Sequence, residues 1–176
     1  LERNFVPKKL LALFSMLLAL AVTAPVSANV AGGAPDALVR QISTDVIDAA
    51  RNDKAIQAGD VNRIVALVED KVMPHVNFEV VTRSAVGPQW RGATPEQRSK
   101  LQAEFKILLV RVYSGALTEL KDHTVEITKT LPVAGSSQVV VQSEVRGGSE
   151  PIKLDYRLDK PADAWKIIDV NVGGLW

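Results

Sequence analysis

The 176-residue sequence has no cysteine, which excludes thiol catalysis, disulfide stapling and thiolate metal sites. Its two histidines, His75 and His123, stand in no H-x-x-H or H-E-x-x-H spacing, so the ligand pattern of a metal enzyme is missing. His75, after Pro74, reads as a surface or capping residue. His123 sits at the exit of a long helix, where a helix C-terminus favours it. No G-x-S-x-G elbow and no phosphate-binding loop occurs, and Gly147-Gly148 reads as a turn. Charge of one sign is lacking too. The 21 Lys+Arg and 20 Asp+Glu nearly cancel, to +1, and without a basic run the chain is a poor nucleic-acid binder. No internal repeat or low-complexity tract is visible.

What is present begins with an export signal. Lys8 and Lys9 precede an apolar run from Leu10 to Val22, and Pro25-Val26-Ser27-Ala28 supplies the small residues of a cleavage site. The run is shorter than the ~20 residues of a bilayer span. A signal peptide over 1–28, cut after Ala28, is therefore expected, with 29–176 as a single domain. Removing it takes away Arg3, Lys8, Lys9 and Glu2 and leaves one acidic charge in excess. A cysteine-free exported domain of this size needs a substantial apolar core, and a bacterial periplasm suits it best.

Helical periodicity fills the first part of that domain. Leu38, Ile42, Val46 and Ala49 predict a helix from Asp36 to about Ala50. Asp60 caps a second, with Ile64, Leu67, Val68 and Val72 inside, and Met73-Pro74 ends it. A short helix is expected over Phe78–Val86, closed by Gly87-Pro88. Thr94-Pro95-Glu96-Gln97 then forms a capping box and starts a long helix to about Leu120. Beyond Lys121 the period switches to two. Val125/Ile127, Val139/Val141/Ser143/Val145, Ile152/Leu154/Tyr156/Leu158 and Trp165–Val172 predict four strands joined by short turns, with a bulge between Ile167 and Ile168. Helices followed by an antiparallel meander make an α+β fold, helices laid on one face of the sheet.

The long helix carries more apolar surface than one side can bury. Leu101, Phe105, Leu108, Leu109, Val112, Ala116 and Leu120 form the main arc, while Ile107, Val110 and Leu117 lie outside it. Pattern alone leaves two readings open: an ordinary packed core, or helices and sheet splayed around an apolar ligand cavity.

Charged groups offer weaker candidates. Asp155 or Asp169, amid apolar strand residues, could act as a general base of raised pKa. Alternation, however, puts Lys153, Asp155 and Arg157 on the face opposite Leu154, Tyr156 and Leu158, which reads as solvated ion pairing. Arg83, Arg91 and Arg98 flank Trp90 near the start of the long helix and suit either a phosphate or carboxylate or a surface salt-bridge patch.

Two blocks then carry a resemblance. "VMPHVNFEVVTRSAVGPQWRGATPEQRSKLQAEFKILLVRVYSGAL" and "EPIKLDYRLDKPADAWKIIDVNVGG" resemble the periplasmic MlaC / toluene-tolerance family, auxiliary to a phospholipid-transporting ABC system. The resemblance implies a cone-like, nuclear-transport-factor-2-like fold with an apolar pocket between helices and sheet. It implies a soluble monomeric carrier in the periplasm of a Gram-negative bacterium. Such a carrier shuttles phospholipid between an outer-membrane lipoprotein–porin complex and an inner-membrane ABC transporter, maintaining outer-membrane lipid asymmetry. No catalysis, metal or cofactor is implied. It also implies a C-terminal helix beyond the last strand; the sequence reaches Trp176 without one, so an open pocket wall is expected, with Ile107, Val110 and Leu117 as the surface that helix would cover.

Phase, helped by the resemblance, gives the expected acyl-chain contacts. From the helices these are Phe78, Val81, Phe105, Leu108, Leu109, Val112 and Tyr113. From the sheet they are Val139, Val141, Leu154, Tyr156, Leu158, Trp165 and Ile167. Arg83, Arg91 and Arg98 are the expected head-group or partner contacts. A small enzyme using Asp155 or Asp169, and an interaction subunit that binds no lipid, remain the alternatives.

Overall fold

A computed structural model describes residues 33–176; the expected signal segment lies outside them. The first helix, α1 (Pro35–Asn52), starts with proline in its first turn and Asp36 beside its N-terminus, both of which suit a helix start. Asp53 ends α1 and caps α2 (Lys54–Gln57), accepting from the Ala55 and Ile56 amides at 2.9 and 3.3 Å. The second carboxylate oxygen pairs with Arg63 on α3 (Val61–Leu67). Asp60 caps α3 as its sequence position predicts.

The expected continuation of α3 to Val72 differs in detail. After Leu67 the helix widens into a π turn over Val68–Val72 and then tightens to a 3₁₀ turn over Met73–His75. The change of pitch has a packing role: Leu67 and Val68 pack against the helical core, while Val72 and Val76 reach the sheet core. Val76 bridges Ile167 in parallel, and the Asn77 amide donates to the Ile167 carbonyl at 2.8 Å. Asn77 also caps α4 (Phe78–Val86). A 3₁₀ segment (Gly87–Gly92) leads to the Thr94/Gln97 capping box and α5 (Pro95–Glu119), which a last 3₁₀ turn extends to Asp122.

The strands β1 (Thr124–Pro132), β2 (Val139–Arg146), β3 (Ile152–Asp159) and β4 (Lys166–Val172) form one antiparallel meander in sequence order. Leu158 pairs with Ile167 and Arg157 with Asp169, leaving Ile168 as the extra residue of the expected bulge. At the β2–β3 turn Gly147 has φ 147° and lies so close to the chain that a Cβ would sit 2.7 Å from the Asp122 carbonyl. Only glycine fits there.

Two apolar cores share α1. Its first half, with Val39 and Ile42, packs on Val141, Leu158 and Ile167 of the sheet. Its second half, through Ala50, packs with Ile56, Ile64 and Val110 of α2, α3 and α5. Each such fully buried aliphatic side chain contributes about 1.5–3 kcal/mol. Arg51 fastens the end of α1 to the α5–β1 junction, donating to the Lys121 carbonyl at 3.0 Å. The long helix α5 packs chiefly on the other helices and not on the sheet.

That placement corrects the expectation for α5 in part. Val110 is its buried residue, and Leu117 is half-buried in the same helical core; both were expected to be left bare together with Ile107, which is exposed. Of the main arc, expected to face acyl chains or the sheet, Leu108 and Val112 are 54% and 62% exposed, while Leu120 packs in the helical core. Counting apolar positions could not rank the arcs, because both are apolar and only the docking of α1–α3 chooses between them.

Candidate functional site

Cross-strand register sets the inner-face side chains in rows. Val139, Leu158 and Ile167 form the first, and Val141, Tyr156 and Val170 the second. Ser143, Leu154 and Val172 form the third, and Val145 lies opposite Ile152 in the fourth. Burial falls off across this grid. Val141, Leu158 and Ile167 are sealed beneath Val39 and Ile42 of α1. Val170, Val172 and Ile152 remain open to solvent, and Leu154 and Tyr156 are half-buried. The reason is reach: α1 lies over β1 and β2, and α4 meets β4 near the Asn77–Ile167 hydrogen bond. An apolar corner of β3 and β4 is left uncovered.

A second uncovered surface runs along α5. Leu101, Leu108 and Val112 repeat at i, i+7 and i+11, on one line of the helix, and all three are exposed. Phe105, on the same line, stacks on Phe78 with ring centroids 5.9 Å apart and planes 23° apart. The Phe78–Phe105 contact ties α5 to α4, and α4 in turn meets β4. Apolar surface in water costs about 25 cal/mol per Å² relative to burial, so a long apolar ligand laid along either surface gains free energy without any bond chemistry.

The structure divides the expected contacts into three groups. Phe78 and Val81 on α4 and Phe105 and Leu109 on α5 are half-buried, and Leu108 and Val112 line the open stripe. Tyr113 is also exposed, but its helical phase sets it off that line. Leu154 borders the open corner, and Tyr156 lies between that corner and the sealed core, against which it packs. Val141, Leu158 and Ile167, in contrast, are closed off as core, and Val139 and Trp165 pack against that core. Alternation identifies a face of the sheet but not which part of it α1 will cover.

Val170, Val172, Ile152 and Leu101 are open apolar residues that the expected set omits. The signal for the first two was available. A bulge at Ile168 returns Val170 and Val172 to the face of Ile167.

The polar groups of the inner face are few and satisfied. Burial pushes the Tyr156 phenol above its ordinary value of 10, opposed by hydrogen bonding with Ser43 and Ser143. Ser143 also donates to the Leu154 carbonyl at 3.1 Å.

Of the three arginines, Arg98 lies over the buried Trp90 ring at 5.4 Å and donates to the Arg91 carbonyl at 3.4 Å. Arg83 and Arg91 are exposed. Asp155 lies on the outer face, as alternation predicts, and Asp169 lies there too, each beside its register partner (Gln142 and Arg157). Among the described residues no group of three or more His, Cys, Asp or Glu could hold a metal ion.

Two clefts open among the helices. One of about 490 Å³ has Asp53, Arg63, Asp70 and Lys71 among its lining residues. The other, about 840 Å³, runs between the Gly87–Gly92 turn and α5 and includes Leu101 at the end of the open stripe. Among the described residues no helix is long and apolar enough to cross a membrane.

Comparisons with known proteins agree with this architecture. A phospholipid-binding protein from Ralstonia solanacearum, solved in complex with a phospholipid, superposes with a TM-score of 0.77 at 36% sequence identity, covering 82% of this chain and 80% of that one. The intermembrane phospholipid transport system binding protein MlaC of Haemophilus influenzae is 21% identical over 150 residues, 83% of this chain and 70% of its own length. The toluene tolerance protein ttg2D of Pseudomonas putida is 23% identical over 148 residues, 84% of this chain and 69% of that protein. The sequence profile of the MlaC protein family matches residues 40–176, and the chain belongs to that family.

Proposed function

We propose that this chain is a periplasmic phospholipid carrier, holding acyl chains against the open corner of β3–β4 and the apolar stripe of α5. The observation that carries this reading is the pair of uncovered apolar surfaces, the β3–β4 corner and the α5 stripe. A solved relative at 36% identity holds a phospholipid on the same fold, which supports assigning a lipid to these surfaces. Each methylene sheltered from water is worth about 0.8 kcal/mol, so two acyl chains supply ample affinity. The head group stays toward solvent, with Arg83 and Arg91 as exposed candidates for its phosphate. The carrier collects lipid at one membrane-bound complex and delivers it to another, an outer-membrane lipoprotein–porin complex and an inner-membrane ABC transporter.

An enzyme reading finds less support. Asp155 and Asp169 sit on the sheet face away from the apolar corner, where neither reaches a ligand held there. The carrier reading is tested by producing the chain with its own N-terminal segment in a Gram-negative host and recovering it from the periplasm. Native mass spectrometry is expected to show the protein with added phospholipid mass, and lipid extraction to identify it. A bare protein mass that also takes up no lipid from phosphatidylglycerol vesicles overturns the reading.

A further inference from the structure

The inner face changes from open to sealed within one row, and a single residue stands at the change. Tyr156 pairs with Val170 on one side, which is 38% exposed, and with Val141 on the other, which is fully buried. In the next row beyond it lies Leu158, fully buried under Val39 and Ile42 of α1. In the row before it lie Leu154 and Val172, toward the open corner. We propose that Tyr156 is the end wall of the acyl-chain groove and sets the longest chain the protein shelters, a proposal that rests on the carrier reading above.

The ring is packed at its far end. It is half-buried against the sealed sheet core, with the phenol toward Ser43 of α1 and Ser143 of β2. Ser143 is itself buried and tied to the Leu154 carbonyl. An acyl chain advancing along the inner face meets the ring. To go further it would have to displace the ring and lift Val39 and Ile42 of α1 from Val141 and Leu158. Separating side chains packed in a close-packed core costs more than a few sheltered methylenes return. The limit on chain length is therefore abrupt. Up to the wall, each additional sheltered methylene raises occupancy by a factor of about four; past it the gain stops.

The test loads the full chain from vesicles containing an equimolar series of phosphatidylglycerols with graded saturated chain lengths. Bound lipid is extracted and its length distribution measured by mass spectrometry. The wild-type protein is expected to show a cut-off, Tyr156→Ala to move it to longer chains, and Val170→Phe to move it to shorter ones. Val170 is partly exposed and accepts the larger ring, so this second variant decides the matter if Tyr156→Ala does not fold. A cut-off that stays in place in the folded variants overturns the proposal while leaving the carrier reading intact. A wild-type protein that takes up no lipid of any length overturns both.

Discussion

Phe78 and Phe105 stack with their ring centroids 5.9 Å apart, and this contact brings the uncovered stripe of α5 to the helix that meets β4. Offset aromatic pairs contribute about 0.5–1.5 kcal/mol beyond the area they bury. A double-mutant cycle on Phe78→Leu and Phe105→Leu is expected to return a coupling in that range by urea unfolding. Both single variants are expected to bind phospholipid more weakly, because α5 loses its tie to α4. Additive effects on stability would show the two rings to be independent.

The two arcs of α5 make opposite predictions. Val110 is 6% exposed among Ala50, Ile56 and Ile64, so Val110→Ala leaves a void and is expected to cost about 1–3 kcal/mol. Val112, 62% exposed, is expected to tolerate Val112→Asp within about 0.5 kcal/mol of stability. That second change puts a charge where an acyl chain would lie and is expected to abolish lipid uptake. Denaturant unfolding and vesicle loading of the two variants separate a structural arc from a ligand-facing one. Equal stability losses at both positions would refute the division.

The turn between α1 and α3 is expected to contribute to acid sensitivity. The Arg63 side chain, hydrogen-bonded to Asp53, holds that carboxyl below its ordinary value of 3.8, helped by the Ile56 and Ala55 amides and opposed by burial. Its folded pKa lies below the unfolded one. The stabilisation is therefore fully present above pH 3.8 and is lost as pH falls through the folded value. Asp53→Asn keeps part of the α2 cap and removes the titration. Its unfolding free energy, measured from pH 6 downward, is expected to fall less steeply below pH 4 than that of the wild type. Parallel acid limbs would exclude this pair as the source.

Much of the local structure was legible in the residues. Thr94, Pro95 and Gln97 specify the start of α5 through hydrogen bonds made within four residues. Gly87 closes α4 because its φ of 72° favours a residue without a side chain. The alternation around Tyr156 gives the faces of β3, and the phase change at Ile168 gives the bulge. What could not be read was the small helix at Lys54–Gln57, too short to show a period, and the π turn after Leu67, which arises from the need to serve two cores.

The candidate surfaces were legible in kind and not in place. Phe78, Phe105, Leu108, Val112 and Leu154 were expected as acyl-chain contacts and are half-buried or exposed, yet Val141, Leu158 and Ile167, expected with them, are sealed. Periodicity records which side chains share a face and nothing about what docks on it. The sequence by itself determined the elements, their caps, the order of the meander and the family resemblance, because each depends on short-range backbone geometry or on residue identity. Only the tertiary structure decided which arc of α5 is buried, how far α1 reaches across the sheet, and that Tyr156 stands where cover ends. Those outcomes depend on the docking of whole helices, where burial of one apolar face competes with burial of another of nearly equal hydrophobicity.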